Sequence, residues 1–187
     1  MQTMPLGPLS GDRIETRPHD LSSVVWRVLV TIDAMWWSDE QWSRLLDADA
    51  CGMCADAHLV ENEHSVLVAV TPTSFVRLVR NQAHPGYCVV ILREHVTELG
   101  LLPAEGLHAF WNDIQRAGRA VQDVYEPRKI DYLIMGHRMP HLHCHLFPQH
   151  ASDDPERNVD ISDGPVFLPS SELDEAVSSL RDAWHKG

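Results

Sequence analysis

Hydrophobic residues recur at helical spacing in the second half of the chain, and they predict two amphipathic helices there. The clearer helix begins at Pro103 and ends before Pro127, because proline cannot continue a helix. The other begins with Ser171 as its capping residue and continues to about Trp184. The apolar stripe of the first helix, which we expect to face the core, consists of Leu107, Phe110, Trp111, Ile114, Ala117, Val121 and Val124.

Runs of β-branched and other apolar residues predict four strands, at residues 65–71, 87–92, 131–135 and 141–147. The segment between the first two, residues 74–86, is polar and basic and contains the turn signal Pro85-Gly86, so no strand is predicted in it. Pro140 marks the start of the last strand, because proline is unfavourable inside a central strand. Strands combined with one long helix and peripheral helices predict an α+β domain.

The first 50 residues have a mixed character. Residues 1–20 combine Pro, Gly, Ser and charge without periodicity, which indicates an irregular arm. Residues 21–37 are dense in Val, Ile and Trp and predict either a strand or a buried helix, a choice that the pattern leaves open. Ser38 and Gln41 have the spacing of a capping box, so a short helix is predicted to follow and to end near Asp49.

The charge balance limits the partners. The 187 residues include 15 Lys and Arg against 27 Asp and Glu, a formal net charge of −12. Binding along a nucleic-acid backbone requires clustered basic residues, so we expect no nucleic-acid partner. No long apolar segment predicts a membrane span or a leader, and we expect a soluble, cytoplasmic protein with no membrane partner. A local positive field for a small anion would come from Arg77, Arg80, Arg93 and Arg138, unless they pair with the surplus carboxylates.

Histidine is the over-represented residue type. The chain has 12 histidines against 3 Tyr and 4 Phe, and five of them fall between residues 137 and 150. His141, His143 and His145 alternate with apolar residues, so on a strand their imidazoles would line one face, about 6.6 Å apart between successive Cα atoms. Such a row suits a metal centre, nucleophilic attack on phosphorus beside a hydrogen-bond donor, or a proton relay.

The run His-φ-His-φ-His-φ-φ over residues 141–147, where φ is apolar, resembles the signature of the histidine-triad family of nucleotide hydrolases and transferases. The phrase at residues 134–141 is similar to the usual lead-in of that signature. The turn that contains Asn81 and Gln82, followed by an apolar strand and then His95, is similar to an earlier block of the family.

This resemblance implies an α+β domain with an antiparallel sheet, commonly paired into a homodimer, which binds a nucleotide beside the triad. It covers residues 51–155, which would form the catalytic domain. Residues 1–50 would be an N-terminal extension with a short helix, and residues 156–187 a C-terminal segment that carries the last amphipathic helix.

The resemblance also implies roles for the triad. His143 would attack the α-phosphorus of a nucleotide and form a nucleotidyl-histidine intermediate, so that one difficult displacement becomes two easier ones. His145 would donate a hydrogen bond to the phosphoryl oxygens or the leaving group, and His141 would help to orient the site. Dinucleoside polyphosphates, or other compounds of a nucleoside monophosphate, are the expected substrate class for this hydrolase or nucleotidyltransferase.

Four further residues are candidate substrate contacts: Asn81, Gln82, His137 and Asp131. Asn81 and Gln82 could equally be turn residues. Several positions depart from the family pattern and leave the substrate open: His137 for Asn or Gln, Asp131 for Asn, Gln149 for an Arg after the Pro, and Tyr87 for a histidine that follows the Gly in some branches.

Four cysteines are too few and too unevenly spaced for a disulfide framework, so reduced thiols or a metal site are expected. Cys51 and Cys54 have C-x-x-C spacing, and the resemblance implies that His95 and His141 complete a structural zinc site with them. A reduced structural pair or a redox pair remain alternatives for the cysteines, with His58 and His64 as alternative ligands. Cys144 alternates with the histidines and is expected to be a buried core side chain.

Two other functions compete with the enzyme. The substitutions at residues 131, 137 and 149 are consistent with a zinc-stabilised nucleotide-binding or partner-binding protein that has little catalytic activity. A metallohydrolase with a catalytic zinc on His141 and His143 is less favoured, because no Asp or Glu near the triad completes such a motif.

Overall fold

The computed structural model describes residues 36–161 and 164–187. The chain divides into two units, residues 1–36 and residues 37–187, and the described residues belong almost entirely to the second. The predicted irregular arm, and the strand or buried helix predicted after it, therefore lie outside the described residues, except for Trp36 and Trp37.

Four α-helices lie in the described part of the chain: α1 (Asp39–Leu45), α2 (Gly52–Asp56), α3 (Ala104–Tyr125) and α4 (Ser170–Lys186). The predicted capping box opens α1, because Ser38 Oγ accepts from the amide of Gln41 and the Gln41 side chain accepts from the amide of Ser38. This helix ends before Asp49, earlier than predicted. The Asp47 carboxylate accepts the Asp49 amide hydrogen and starts a separate 3₁₀ turn there.

The long helix α3 begins after Pro103, as predicted. It ends where Glu126 adopts a left-handed conformation with φ of 48°, directly before Pro127. One member of the predicted stripe differs, since Trp111 is 42% exposed. Consecutive helical residues are about 100° apart, and Phe110 takes the position that faces the core.

Five strands form one antiparallel sheet: β1 (Ser65–Val70), β2 (Ser74–Val79), β3 (Cys88–Leu92), β4 (Lys129–Leu133) and β5 (His143–Gln149). Their order across the sheet is β1-β2-β3-β5-β4. The predicted α+β architecture with an antiparallel sheet is therefore confirmed. No helix among the described residues is long and apolar enough to cross a membrane.

The strand β2 is a correction to the sequence prediction, which left residues 74–86 without a strand. Its polar appearance comes largely from Arg77, and this side chain is fully buried. The Arg77 guanidinium donates hydrogen bonds to the backbone carbonyls of Ala57, Leu59 and Ser65, at 2.6, 2.7 and 2.9 Å. A buried charge with several hydrogen bonds of this kind ties the end of α2 to the β1–β2 hairpin.

The strands β4 and β5 both lie two residues away from their predicted positions. Leu133 pairs with His145 and Asp131 with Phe147, so β5 starts at His143 and His141 precedes it. Pro148 lies inside β5, beyond the last residue of β5 that pairs with β3, and its nitrogen therefore interrupts no hydrogen bond to that strand.

The two faces of the sheet have different surroundings. Cys144 and Leu146 of β5 pack with the buried residues of α3 and α4 in the main core. Side chains alternate along a strand, so His143, His145 and Phe147 point to the opposite face. On that face Val89 and Ile91 of β3 form a smaller cluster with Ala57, at the end of α2. The sheet thus places two histidines of the triad on the face that carries α2.

The turn before β3 depends on Gly86, which has φ of +87°, and an added Cβ would lie 2.8 Å from the Tyr125 ring. We predict that Gly86→Ala lowers the free energy of unfolding by about 2–3 kcal/mol, because it combines a left-handed conformation with overpacking. Urea unfolding followed by circular dichroism measures this. Gly100→Ala is the control: no atom lies within 4 Å of its added Cβ. Equal losses in the two variants would contradict the prediction.

Candidate active site and metal site

His143 and His145 stand next to each other on β5, with ring centroids 4.7 Å apart and rings nearly perpendicular. On β3 they face Ile91 and Val89, respectively. The two imidazoles therefore lie against an apolar surface. His141 does not continue the row, because its ring points instead to Cys51 and Cys54, at the start of α2.

One proton position is set at His143. Its Nδ1 lies 2.5 Å from the backbone carbonyl oxygen of His141, and a carbonyl oxygen can only accept, so Nδ1 carries the hydrogen. Burial lowers the pKa of His143, while the hydrogen bond to the His141 carbonyl acts in the opposite direction. The ring is thus neutral, and its Nε2 holds a lone pair.

His145 contacts a different partner. The Tyr87 hydroxyl lies 2.6 Å from His145 Nδ1, and the Tyr87 ring stacks on Phe147 with centroids 4.1 Å apart. Burial, and then the nearby His143, lower the pKa of His145 to about 4. His145 is therefore neutral at physiological pH as well.

A cleft of about 210 Å³ opens beside these residues. His145 and Tyr87 form one part of its wall, and Asp56, Asn62 and His64 bring polar groups to it. Larger cavities of about 430 and 540 Å³ lie around residues 149–159, but no triad histidine lines them. The smaller cleft therefore meets the triad, and it does so at His145. Its apolar lining consists of Met53, Val79, Val89, Ile91 and Met139.

His141 belongs to a second cluster, of two cysteines and two histidines. The ligand atoms of Cys51, Cys54, His95 and His141 all lie within 4.8 Å of one another. His141 Nδ1 is 3.4 Å from both cysteine sulfurs and 3.3 Å from His95 Nδ1. His58 and His64, the alternative ligands, are exposed and lie outside this cluster.

The hydrogen-bond pattern tests whether this cluster fits a metal ion. His141 Nε2 donates to the Leu92 carbonyl at 2.7 Å, and His95 Nε2 donates to the Leu46 carbonyl at 3.0 Å. In the neutral rings both Nδ1 atoms therefore hold lone pairs, and these face each other at 3.3 Å. The Cys51 and Cys54 sulfurs lie 3.3–3.4 Å from these Nδ1 atoms, so the two lone pairs can be satisfied either by thiol S–H donors or by a cation that all four side chains share. A tetrahedral ion with metal–nitrogen bonds of 2.0–2.1 Å would place its two nitrogen ligands about 3.3 Å apart.

The cysteines agree with this interpretation. Without an ion, burial and then the hydrogen bond and charge of Cys51 raise the pKa of Cys54 to about 11, so Cys54 resists the formation of a thiolate. A bound cation reverses that preference, because thiolates are its ligands. The four donor atoms lie within 4.8 Å of one another, so a tetrahedral ion held by all of them would have no open coordination position.

The turn residues Asn81 and Gln82 have structural contacts. The Gln82 amide donates to the Val79 carbonyl at 2.5 Å and accepts from the Gly86 amide at 2.8 Å, and the residue is only 3% exposed. Asn81 Oδ1 accepts from the amides of Ala83 and Val166. Of the two roles that the sequence left open, the geometry favours that of turn residues.

The other two candidate contacts are His137 and Asp131. His137 is exposed, and its carbonyl accepts a hydrogen bond of 2.7 Å from Trp37 Nε1. Asp131 is half-buried and lies opposite Phe147, on the face of the sheet that carries the histidines. Neither residue lines the cleft beside His145.

Sequence reasoning missed several contributors to the site. Met53 and Asp56 of α2 line the cleft, and Trp37 holds the loop before the triad. Tyr87 was noticed only as a departure from the family pattern. A signal for Tyr87 exists in its place directly after Gly86, but Trp37 gives none, because its partner is 100 positions away.

Comparison with known proteins relates this chain to other proteins that carry a histidine triad. Residues 60–152 match the family described as the HIT domain. The comparison with curated proteins finds no match. Among solved structures, a histidine triad protein from Bradyrhizobium japonicum is 20% identical, with a TM-score of 0.60, and the match covers 65% of this chain and 91% of that protein.

Two further structures have the same fold. A histidine triad protein from Marinobacter aquaeolei VT8 is 14% identical, with a TM-score of 0.60, over 66% of this chain and 90% of that protein. A zinc-bound histidine triad family protein from Mycobacterium smegmatis is 18% identical, with a TM-score of 0.56, over 75% of this chain and 96% of that protein.

Proposed function

Because the chain belongs to the histidine-triad family, we propose that it is an enzyme that transfers or hydrolyses a nucleoside monophosphate through a nucleotidyl intermediate on His143. The leading substrate class is dinucleoside polyphosphates, together with other compounds in which a leaving group is attached to the α-phosphorus. The side chains that line the cleft, among them Met53 and Asp56, would select the base, the leaving group and the acceptor.

The observation that carries this proposal is the hydrogen bond from His143 Nδ1 to the His141 carbonyl. It holds the lone pair on Nε2 and keeps the ring in one orientation on a buried strand. A nucleophile that is neutral and pre-oriented has neither a proton to lose nor a rotation to make before it attacks. The same neutral state avoids placing a cation next to His145.

The proposed reaction has two displacements. In the first, the Nε2 lone pair of His143 forms a bond to the α-phosphorus, and the bond from phosphorus to the leaving group breaks with its electron pair on the leaving group. In the second, the oxygen of water or another acceptor forms a bond to the phosphorus and loses its proton to solvent, and the bond from phosphorus to Nε2 breaks with its electron pair returned to His143. Charge on the equatorial oxygens requires hydrogen-bond donors, and His145 is the nearest imidazole to His143.

The arginines that the sequence offered as a positive field are mostly used elsewhere. Arg77 is buried against carbonyl groups, Arg80 pairs with Glu61 at 2.6 Å, and Arg93 donates to the Thr71 carbonyl. Arg138 is exposed in the loop before the triad, next to Met139 of the cleft. Substrate phosphates would therefore depend on imidazole and backbone donors and on Arg138.

We propose in addition that Cys51, Cys54, His95 and His141 hold a structural zinc ion. The facing Nδ1 lone pairs and the closed four-ligand set support it, and a zinc-bound relative has the same fold. When bound, zinc would supply a rigid cross-link between α2, the segment after β3 and the residue before β5. Since the carbonyl of His141 accepts from His143, the same residue would tie the cross-link to the nucleophile.

The geometry bears on one of the two competing functions. A catalytic zinc on His141 and His143 is disfavoured, because His143 Nδ1 donates to a carbonyl and its ring is not part of the metal cluster. A nucleotide-binding protein with little catalysis would use the same cleft, and it is separated by the experiment on His143 below.

A homodimer, implied by the resemblance, is part of the proposal. Among the strands that the structure describes, β4 is at the edge of the sheet, and Tyr132 on it is 45% exposed. An unpaired edge with an exposed aromatic residue is the kind of surface that pairs with another chain. A cytoplasmic location is proposed with it.

We predict that His143→Ala lowers turnover of a dinucleoside polyphosphate by about 1,000-fold or more, because the nucleophile is lost. Chromatographic detection of the released nucleoside monophosphate measures turnover, and intact mass of the rapidly quenched wild-type protein detects the nucleotidyl adduct. The control His108→Ala removes an exposed histidine of α3 and should retain full activity. Undiminished hydrolysis by the His143 variant excludes the mechanism. Tight nucleotide binding by the wild type without turnover or adduct favours the binding protein.

For the metal, we predict that the purified protein contains about one zinc per chain and that Cys54→Ser loses most of it. The free energy of metal binding at a structural site adds to the stability of the folded protein. The free energy of unfolding of the variant should therefore fall by about 3 kcal/mol, and its Tm by roughly 10 °C. Elemental analysis and calorimetry provide the two readings. Cys88→Ala is the control, since Cys88 is buried in the main core and should lower Tm without changing the zinc content. Zinc retained at one equivalent in Cys54→Ser would contradict the assignment.

A further inference from the structure

We propose that Tyr87 is a positioning residue that fixes the tautomer of His145, so that the hydrogen of His145 is on Nε2 and faces the cleft. This inference rests on the proposed function for its catalytic consequence, but the tautomer itself is a property of the folded protein. It gives a role to a residue at which the chain departs from the family pattern.

Tyr87 is held firmly in place. It directly follows the Gly86 turn and leads into β3, and the residue is only 8% exposed. Its ring stacks on Phe147 with an interplanar angle of 20°. Since Phe147 is on the same face of β5 as His145, this stack brings the phenol to the His145 ring. The resulting distance from the hydroxyl to Nδ1 is 2.6 Å.

The direction of this hydrogen bond follows from the chemistry of the phenol. Burial raises the pKa of Tyr87, so the hydroxyl stays protonated at physiological pH. Within the described residues, the hydroxyl has His145 Nδ1 as its hydrogen-bond partner. A buried hydroxyl hydrogen requires an acceptor. With the phenol as donor, Nδ1 is the acceptor, and the single hydrogen of the neutral imidazole must be on Nε2.

The Nε2 of His145 is then a free donor. Among the described residues it has no hydrogen-bond partner, and His145 lines the cleft. The two adjacent imidazoles thus have opposite tautomers: His143 presents a lone pair from Nε2, whereas His145 presents an N–H group. A phosphoryl group between them would meet a nucleophile on one side and a hydrogen-bond donor on the other. The opposite tautomer of His145 would instead turn a second lone pair toward an anionic oxygen.

The proton remains on His145 in this step. As the bond from His143 Nε2 to phosphorus forms, the N–H group of His145 donates a hydrogen bond to a phosphoryl or leaving-group oxygen as its negative charge grows. Such a contact is stronger in the transition state than in the bound substrate, so its loss should affect kcat more than KM.

A purely structural role for Tyr87 is the competing explanation, because its ring also packs on Phe147. The variant Tyr87→Phe keeps the ring and removes only the hydroxyl. The matched control is Tyr125→Phe, since the buried Tyr125 hydroxyl has no hydrogen-bond partner in the described part of the chain. Each variant removes one buried tyrosine hydroxyl, and only the hydroxyl of Tyr87 contacts His145.

The deciding measurement is ¹⁵N NMR of the histidine side chains in the full-length, metal-loaded protein, with His145 assigned by its absence in His145→Gln. The wild type should show Nδ1 of His145 unprotonated and Nε2 protonated. Tyr87→Phe should show a mixture of the two tautomers, and Tyr125→Phe should match the wild type. A protonated Nδ1 in the wild type overturns the proposal, whether or not any variant folds.

Kinetics provide the functional arm, with a dinucleoside polyphosphate as the probe. Tyr87→Phe should lower kcat about three- to tenfold and change KM less than about twofold, and Tyr125→Phe should change neither. A fall in kcat of the same size in both variants would show that only packing matters and would overturn the catalytic part. If the wild type shows the expected tautomer but turns over no nucleotide, the proposed function fails while the assignment to Tyr87 stands.

Discussion

His141 is the residue on which the rest of the site depends, because three of its polar groups contact three different parts of the structure. Its Nε2 donates to the Leu92 carbonyl at the end of β3, and its Nδ1 faces the two cysteines and His95. Its backbone carbonyl accepts from His143 Nδ1. The orientation of the nucleophile in the proposed reaction therefore depends on the same residue that would anchor the metal ion, and the two sites form one unit.

The sheet supplies the second constraint, which is the alternation of side chains along β5. Cys144 and Leu146 belong to the core beneath α3 and α4. Because side chains alternate along a strand, His143 and His145 must point to the opposite face. A slip of one residue in register would bury both imidazoles in the core. Apolar neighbours on β3 then desolvate the rings and lower the pKa of each, which keeps both histidines neutral.

The sequence predicted this part of the site because alternation is a local signal. The position of His141 is set by contacts that are distant in the sequence. Its neighbour Leu142 accepts a backbone hydrogen bond from Leu92 and donates one to Val96, some 50 positions earlier, and these bonds place His141 outside the strand. The strand β2 was not predicted for the same reason, which is that its decisive contacts are distant in the sequence. Arg77 appears polar in the sequence, and the carbonyl groups that satisfy it belong to other segments. Four candidate metal ligands were recognised by resemblance, since a single C-x-x-C pair does not specify its partners. The contact of Tyr87 with His145 required the folded turn.

The distances along the sequence between the four cysteine and histidine ligands have a consequence for the order of folding. Cys54 and His95 are 41 positions apart, and Cys51 and His141 are 90 apart. His95 follows β3 and His141 precedes β5, so the ligands meet only after these two strands have paired. Closing loops of this length costs chain entropy that local helices do not incur. The four-ligand set would therefore be completed only after β3 and β5 have paired, whereas Cys51 and Cys54 are only three positions apart in the chain.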